Sequence, residues 1–154
     1  AAVGVQIAHP KKLVIDIAGE ASVLMTMQEM STAVQYNLPI KIFILNNEYM
    51  GMVRQWQELL HEKNYSESYT AALPDFVKLA EAYGCVGIQA TKPDELDEKI
   101  NEMINTKEPV IFDCRVDPAE NCYPMIPSGK PHNQMLLGPE DKKEEVTDEG
   151  KTLV

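Results

Sequence analysis

The sequence predicts an α/β domain built on a parallel sheet with helices on both faces. Three observations carry that prediction: short β-branched runs recur along the chain, segments of helical period separate them, and glycine or proline marks most changes of period. A length of 154 residues is enough for one such domain with a real core. With 44% hydrophobic and 25% charged residues, the composition is that of an ordinary globular protein.

The opening "AAVGVQIAHPKK" reads as the last turns of a helix. It stops at His9-Pro10, because the residue before proline disfavours helical geometry. The stretch has no basic leading segment and Gln6 interrupts it, so it is not read as a signal peptide. The chain is expected to begin inside a domain. "KKLVIDIAG" then reads as a short buried strand ending at Gly19. From Ala21 the period changes: Leu24, Met27, Met30 and Val34 recur every three or four residues, the stripe of one amphipathic helix, with the run from Met25 to Met30 in its core. Asn37-Leu38-Pro39 ends it, and "IKIFIL" supplies a second strand. Strand, helix and strand make a βαβ unit with a right-handed crossover and parallel strands.

Beyond the second strand, Met52, Val53, Trp56, Leu59 and Leu60 share one helical face, with Gly51 near the helix start. His61 reads as a solvated cap at its far end. "NYSESYTAA" is polar loop. Pro74-Asp75 opens a helix carrying Phe76, Leu79, Ala80 and Tyr83, with Gly84 at its C-terminal cap. "CVGIQA" is a third strand, Thr91 ahead of Pro93 and Asp94 resembles a helix-start box, and Leu96, Ile100, Met103 and Ile104 form the next apolar face. "PVIFDCRV" is the fourth strand. "NCYPMIPSGKPHNQM" is proline-rich, irregular and expected to be an ordered loop. Residues 138–154 are charged and nearly free of large apolar groups, so they read as a disordered tail behind a domain of residues 1–137.

A formal net charge of −10 argues against nucleic acid and against an anionic membrane surface, both of which need clustered lysine and arginine. No apolar run approaches the roughly 18 residues of a membrane span. Cys85, Cys114 and Cys122 are odd in number and lack CxxC spacing, as expected of small buried thiols in a reducing cytoplasm. His9, His61 and His132 are too scattered for a catalytic triad.

Open parallel sheets bind ligands at the carboxyl ends of their strands. Two such ends are distinctive: Gly19-Glu20-Ala21-Ser22 after the first strand, and Asn46-Asn47 after the second. If these strands are neighbours, Glu20 and Asn47 converge although 27 positions separate them. A carboxylate and an amide oxygen beside a helix start suit Mg²⁺, and the free N–H groups of Ala21 and Ser22 suit a phosphate. The plainer reading stands beside this one, since an acid in a first helical turn and an asparagine after a strand are favourable without any ligand.

"GEAS" followed further along by "NN" resembles the thiamine-diphosphate signature, Gly-Asp-Gly/Ala and then Asn-Asn. "TMQEMSTAVQYNLPIKIFILNNEYMGMVRQWQELLHEKNYS", "LPDFVKLAEAYG" and "PMIPSGK" resemble, more narrowly, the large subunit of acetolactate synthase (acetohydroxyacid synthase), from about Ala1 to Leu137. The resemblance implies the pyrophosphate-binding domain of that fold, lacking its opening strand and helix. It implies an enzyme that uses thiamine diphosphate and Mg²⁺ to decarboxylate pyruvate and join the fragment to a second 2-oxo acid, the committed step of branched-chain amino-acid synthesis. On this resemblance the metal ligands fall on Glu20, Asn47 and the backbone carbonyl of Tyr49. Gly19, Ala21 and Ser22 would hold the diphosphate, with Tyr49, Met50, Gly51 and Met52 completing that wall. Met52, Trp56 and Ser128 would line the substrate channel.

The resemblance also implies a pyrimidine-binding domain and an FAD-carrying domain outside this chain, with the family's essential glutamate in the former, acting across a subunit interface. This chain alone is therefore expected to be inactive. A homodimer or tetramer of catalytic subunits, an added regulatory subunit, and a bacterial cytoplasmic, plastid or mitochondrial location follow from the same likeness, as does self-association through faces left uncovered. Another thiamine enzyme of acetyltransferase or oxidase type is the nearer alternative, and a non-catalytic remnant binding phosphate or a partner is the more distant one. One departure bears on the site: Glu20 stands where the family has aspartate. An extra methylene moves a carboxylate by about 1.5 Å, whereas Mg²⁺ holds its ligands near 2.0–2.1 Å, so weakened affinity is expected.

Overall fold

The computed structural model describes residues 1–70 and 72–139. The described chain divides into two compact units, one of residues 1–49 with 70–118, the other of 50–69 with the segment from 119 onward.

The first unit holds a four-stranded, wholly parallel sheet in the order β1-β2-β4-β3, with β1 at Ile15–Gly19, β2 at Lys41–Asn46, β3 at Val86–Ala90 and β4 at Val110–Arg115. Its helices are α1 (Ala2–Ala8), α2 (Glu20–Leu24), α3 (Glu29–Gln35), α5 (Phe76–Tyr83) and α6 (Leu96–Asn105), while α4 (Gly51–Leu60) belongs to the second unit. The predicted α/β architecture is borne out.

Period-two alternation sorts the central strands onto two cores. Ile42 and Ile44 of β2 and Ile111 of β4 face one side, with Val23, Met30, Ala33, Phe76 and Ala80 of the covering helices. Phe43, Val110, Phe112 and Cys114 face the other, against Leu96, Ile100 and Met103 of α6. There Phe43 and Phe112 meet edge to face with centroids 4.7 Å apart. Burial on both faces explains why β2 and β4 read as nearly unbroken apolar runs. At the opposite end of the sheet Lys41 is fully buried, its ammonium donating to the carbonyls of Thr106 at 2.6 Å and Glu108 at 2.8 Å.

Strand β1 differs from its expected burial. It is an edge strand, with Ile15 41% and Ile17 68% exposed. The single helix expected after it is also broken. From Met25 to Ser31 the peptide N–H groups bond mostly at a spacing of three residues, tighter than an α-helix, so the stripe rotates out of phase. Met30 stays buried, Met27 is half-buried and Met25 is exposed, which corrects the expectation that this methionine run is core.

Helix α5 starts as predicted. The Asp75 side chain accepts from the N–H groups of Val77 and Lys78 at 3.1 Å, and Gly84 closes the helix in the left-handed region at φ 81°. The start box near Thr91 is real but uses a different acid: Glu95, not Asp94, accepts from the N–H groups of Thr91 and Lys92. In the second unit α4 reverses the expected polarity. Met52 and Val53 are exposed, and the buried side chains are Arg54 and Gln55. Arg54 donates to the carbonyl of Ala119 and to Asn121, and Gln55 exchanges hydrogen bonds with the carbonyl and N–H of Cys122. The loop at 119–136 is thereby ordered, with Met125 and Leu136 bridged antiparallel. The disordered tail expected at 138–154 falls, from residue 140, outside the described residues.

Burial pushes the Cys85 thiol up to about 11, and Cys114 is raised by burial and by neighbouring Asp113. Cys122 is exposed, contrary to the expectation of three buried thiols. A neutral thiol reagent is expected to label Cys122 alone in the native protein and all three cysteines after denaturation, counted by mass spectrometry. A Cβ added to Gly87 would come 2.8 Å from the Cα and carbonyl oxygen of Val77. Gly87→Ala is therefore expected to destabilise the domain by about 1–3 kcal/mol in chemical denaturation, because α5 cannot approach β3 as closely.

Candidate metal and diphosphate site

Parallel pairing of β1 with β2 puts Gly19 opposite Leu45, so the chain leaves both strands at the same edge. Glu20 is the next residue and the first of α2, and it is 1% exposed. Its carboxylate lies at the tip of β2: the N–H of Asn47 and its own N–H stabilise it, and the Thr70 hydroxyl is 3.5 Å from Oε1. Asn47 Oδ1 accepts from the N–H of Tyr49 at 3.2 Å, the Asx turn expected after a strand, and Glu48 between them takes φ 61°. The expected convergence of Glu20 and Asn47 at one sheet edge is therefore present in the fold.

The remaining diphosphate candidates divide between the units. Gly19 caps α2 in extended geometry with no side-chain hydrogen bond to the first turn, and Ser22 is exposed. A Cβ on Gly19 would meet only Ser22 Oγ, at 3.8 Å, so the protein leaves space beside the N–H groups of Ala21 and Ser22. Met50, Gly51 and Met52 lie in the second unit at the start of α4. Met52 and half-buried Trp56 line a cavity of about 520 Å³ with Val53, Gln57, His61 and Asn64. Ser128 is half-buried and does not line it. His61 is not the solvated cap expected: its Nε2, like Gln57 Oε1, is buried without a hydrogen-bonding partner among the described residues.

Two groups at the sheet edge went unrecognised in the sequence. Thr70, from the polar loop, reaches Glu20 and carries no sequence signal. Asp113 is fully buried in β4 and accepts from Asn46 Nδ2 at 2.8 Å, Gln89 Nε2 at 2.9 Å and Arg115 Nε at 3.1 Å. Here a signal existed, since a charged pair interrupts the most apolar strand near its carboxyl end. Asn46, Asn47, Glu48, Gln89, Thr91 and Arg115 border a cavity of about 430 Å³ at that end of the sheet.

Burial raises the Glu20 carboxyl above the ordinary carboxylate range, against the opposing pull of the Glu20 and Asn47 N–H groups, Thr70 and Arg115. A carboxyl whose folded value is raised contributes stability below its unfolded value and loses it as pH rises through the folded value. The ionised group is thus a net cost to the ligand-free fold at neutral pH.

The first 114 residues match the family model "Thiamine pyrophosphate enzyme, C-terminal TPP binding domain". The chain belongs to this family. It is 46% identical over 138 residues to the acetolactate synthase large subunit of Haemophilus influenzae, an alignment covering 89% of this chain and 24% of that protein. It is 50% identical over 137 residues to the large subunit of Cyanidium caldarium, covering 88% of this chain and 23% of the relative. The mitochondrial acetolactate synthase catalytic subunit of Saccharomyces cerevisiae is 45% identical over 147 residues, which cover 95% of this chain and 21% of the relative. Among solved structures, a thiamine diphosphate-dependent 4-hydroxybenzoylformate decarboxylase from Rhodococcus jostii RHA1 superposes with a TM-score of 0.69 at 28% identity, over 75% of this chain and 22% of that one. The likeness to acetolactate synthase large subunits read from the motifs is upheld, and the chain spans about a quarter of the length of these curated relatives.

Among the described residues no group of three or more His, Cys, Asp or Glu is arranged to hold a metal ion. A cation at this edge would rely on one carboxylate with amide and peptide oxygens. That all-oxygen set fits Mg²⁺, which keeps few protein ligands and takes the rest from water and phosphate. Glu20→Gln is expected to raise the melting temperature of the ligand-free protein at neutral pH, with the gain shrinking as pH is lowered through the carboxylate range, followed by calorimetry across pH.

Proposed function

We propose that this chain is the metal- and diphosphate-holding part of an acetolactate synthase catalytic subunit. The observation that carries the proposal is the buried Glu20 carboxylate at the tip of β1, directed to the Asn47 peptide at the tip of β2. A carboxylate so withdrawn from water, with no cationic side chain bonded to it among the described residues, fits a cation as a further partner.

In this reading Glu20, Asn47 Oδ1 and the Tyr49 carbonyl hold Mg²⁺, and the N–H groups of Ala21 and Ser22 beside Gly19 hold the diphosphate. Thiamine diphosphate, when bound, supplies the electron sink that decarboxylation of a 2-oxo acid requires. Burial of Glu20 strengthens its attraction for a cation, because few waters compete for the carboxylate. On the same reading Met50, Gly51 and Met52 would contribute to the cofactor wall, and Met52 and Trp56 would border the channel for pyruvate and a second 2-oxo acid. The catalytic glutamate and the FAD site belong to parts of the polypeptide outside this chain. Assembly into dimers or tetramers, with a possible regulatory subunit, is part of the proposal, as is residence in bacterial cytoplasm or a eukaryotic organelle. Among the described residues no helix is long and apolar enough to cross a membrane.

Adding Mg²⁺ and thiamine diphosphate together is expected to raise the melting temperature of the polypeptide carrying this chain, since only the folded state binds them. An unchanged melting temperature would favour a non-catalytic remnant. Glu20→Asp is expected to lower the Mg²⁺ concentration giving half of that rise by roughly tenfold, because the shorter side chain suits the tight coordination distance. Equal or weaker Mg²⁺ dependence would show that the longer side chain is accommodated.

A further inference from the structure

We infer that Asp113 and Arg115 are positioning residues that hold the Asn47–Tyr49 turn in its metal-binding shape. The inference rests on the function proposed above and assigns a role to the charged pair in β4.

The geometry is a closed ring. Asp113 Oδ1 accepts from Asn46 Nδ2 at 2.8 Å, and its Oδ2 accepts from Arg115 Nε at 3.1 Å. Arg115 Nη1 donates to Glu48 Oε1 at 2.6 Å. The Glu48 N–H donates to Asn46 Oδ1 at 3.2 Å, which returns the ring to Asn46. The Glu48 carbonyl accepts from the Thr70 N–H at 2.9 Å, so Glu48 is gripped at its N–H, its carbonyl and its side chain.

Glu48 needs that grip. At φ 61° it occupies the left-handed region, which a residue with a Cβ adopts at a cost and keeps only when its surroundings fix it. It also separates the two turn residues offered to the cation. If Glu48 relaxed to the right-handed region, the peptide planes on either side would rotate, and the bond by which Asn47 Oδ1 accepts from the Tyr49 N–H at 3.2 Å would be lost with the turn that it closes. Asp113 anchors the ring because it is fully buried and cannot trade its partners for water, whereas Arg115 and Glu48 are 31% and 45% exposed in their side chains. An exposed ion pair of that kind contributes little to stability by itself. Its value here lies in choosing one backbone conformation.

The test is the Mg²⁺ dependence of the thiamine-diphosphate-induced melting shift in the full polypeptide. In Arg115→Met the Mg²⁺ concentration for half-maximal shift is expected to rise roughly tenfold, as for other residues that orient metal ligands from behind. The ligand-free melting temperature should stay within about 4 °C of the parent, as befits a partly exposed pair. Arg115→Lys, which keeps a donor for Glu48, should recover most of the affinity. Parent-like Mg²⁺ dependence in Arg115→Met would overturn this inference alone, as would a loss that Lys fails to recover. A parent polypeptide with no Mg²⁺-dependent shift would overturn the proposed function and this inference with it.

Discussion

The parallel pairing of β1 with β2 is the constraint on which the site depends. With Gly19 opposite Leu45, both strands end at one level, and the residues that follow, Glu20 on one side and Asn46-Asn47 on the other, must share the same edge. A slip of one residue would turn Ala18, Ile42 and Ile44 away from the covering helices and move Glu20 out of reach of the Asn47 N–H. The hydrophobic pattern of β2 and the position of the site are thus fixed by the same register.

That register places a carboxylate where water is scarce. Burial of Glu20 opposes its ionisation, and the N–H groups of Asn47 and Glu20 offset this only in part. The same edge holds a second buried acid with the opposite solution. Asp113 is surrounded by donors from Asn46, Gln89 and Arg115 and needs no ligand to be satisfied. Glu20 draws mainly on peptide N–H groups at the strand tips, whereas Asp113 draws on side chains of three strands.

The second unit shows how polar burial can organise a helix. Arg54 and Gln55, not the apolar stripe, face the protein on α4, and they fasten the 119–125 segment by side-chain-to-backbone bonds. Met52, Val53 and Trp56 are consequently left to border an open cavity.

The sequence by itself determined the strand and helix order, the helix caps at Asp75 and Gly84, the family signature and the pair Glu20 and Asn47. These are legible because period, capping chemistry and motif spacing are local properties of the chain. Only the tertiary structure decided that β1 lies at an edge, that the helix after it breaks near Met25, that α4 buries Arg54 and Gln55, and that Thr70, Asp113 and Arg115 gather around the strand tips. Apart from the break, whose bonds are local, these depend on partners distant in sequence, such as Thr70 for Glu20 or Asn46 for Asp113, and a partner brought in by folding leaves no periodic trace in the residues it meets.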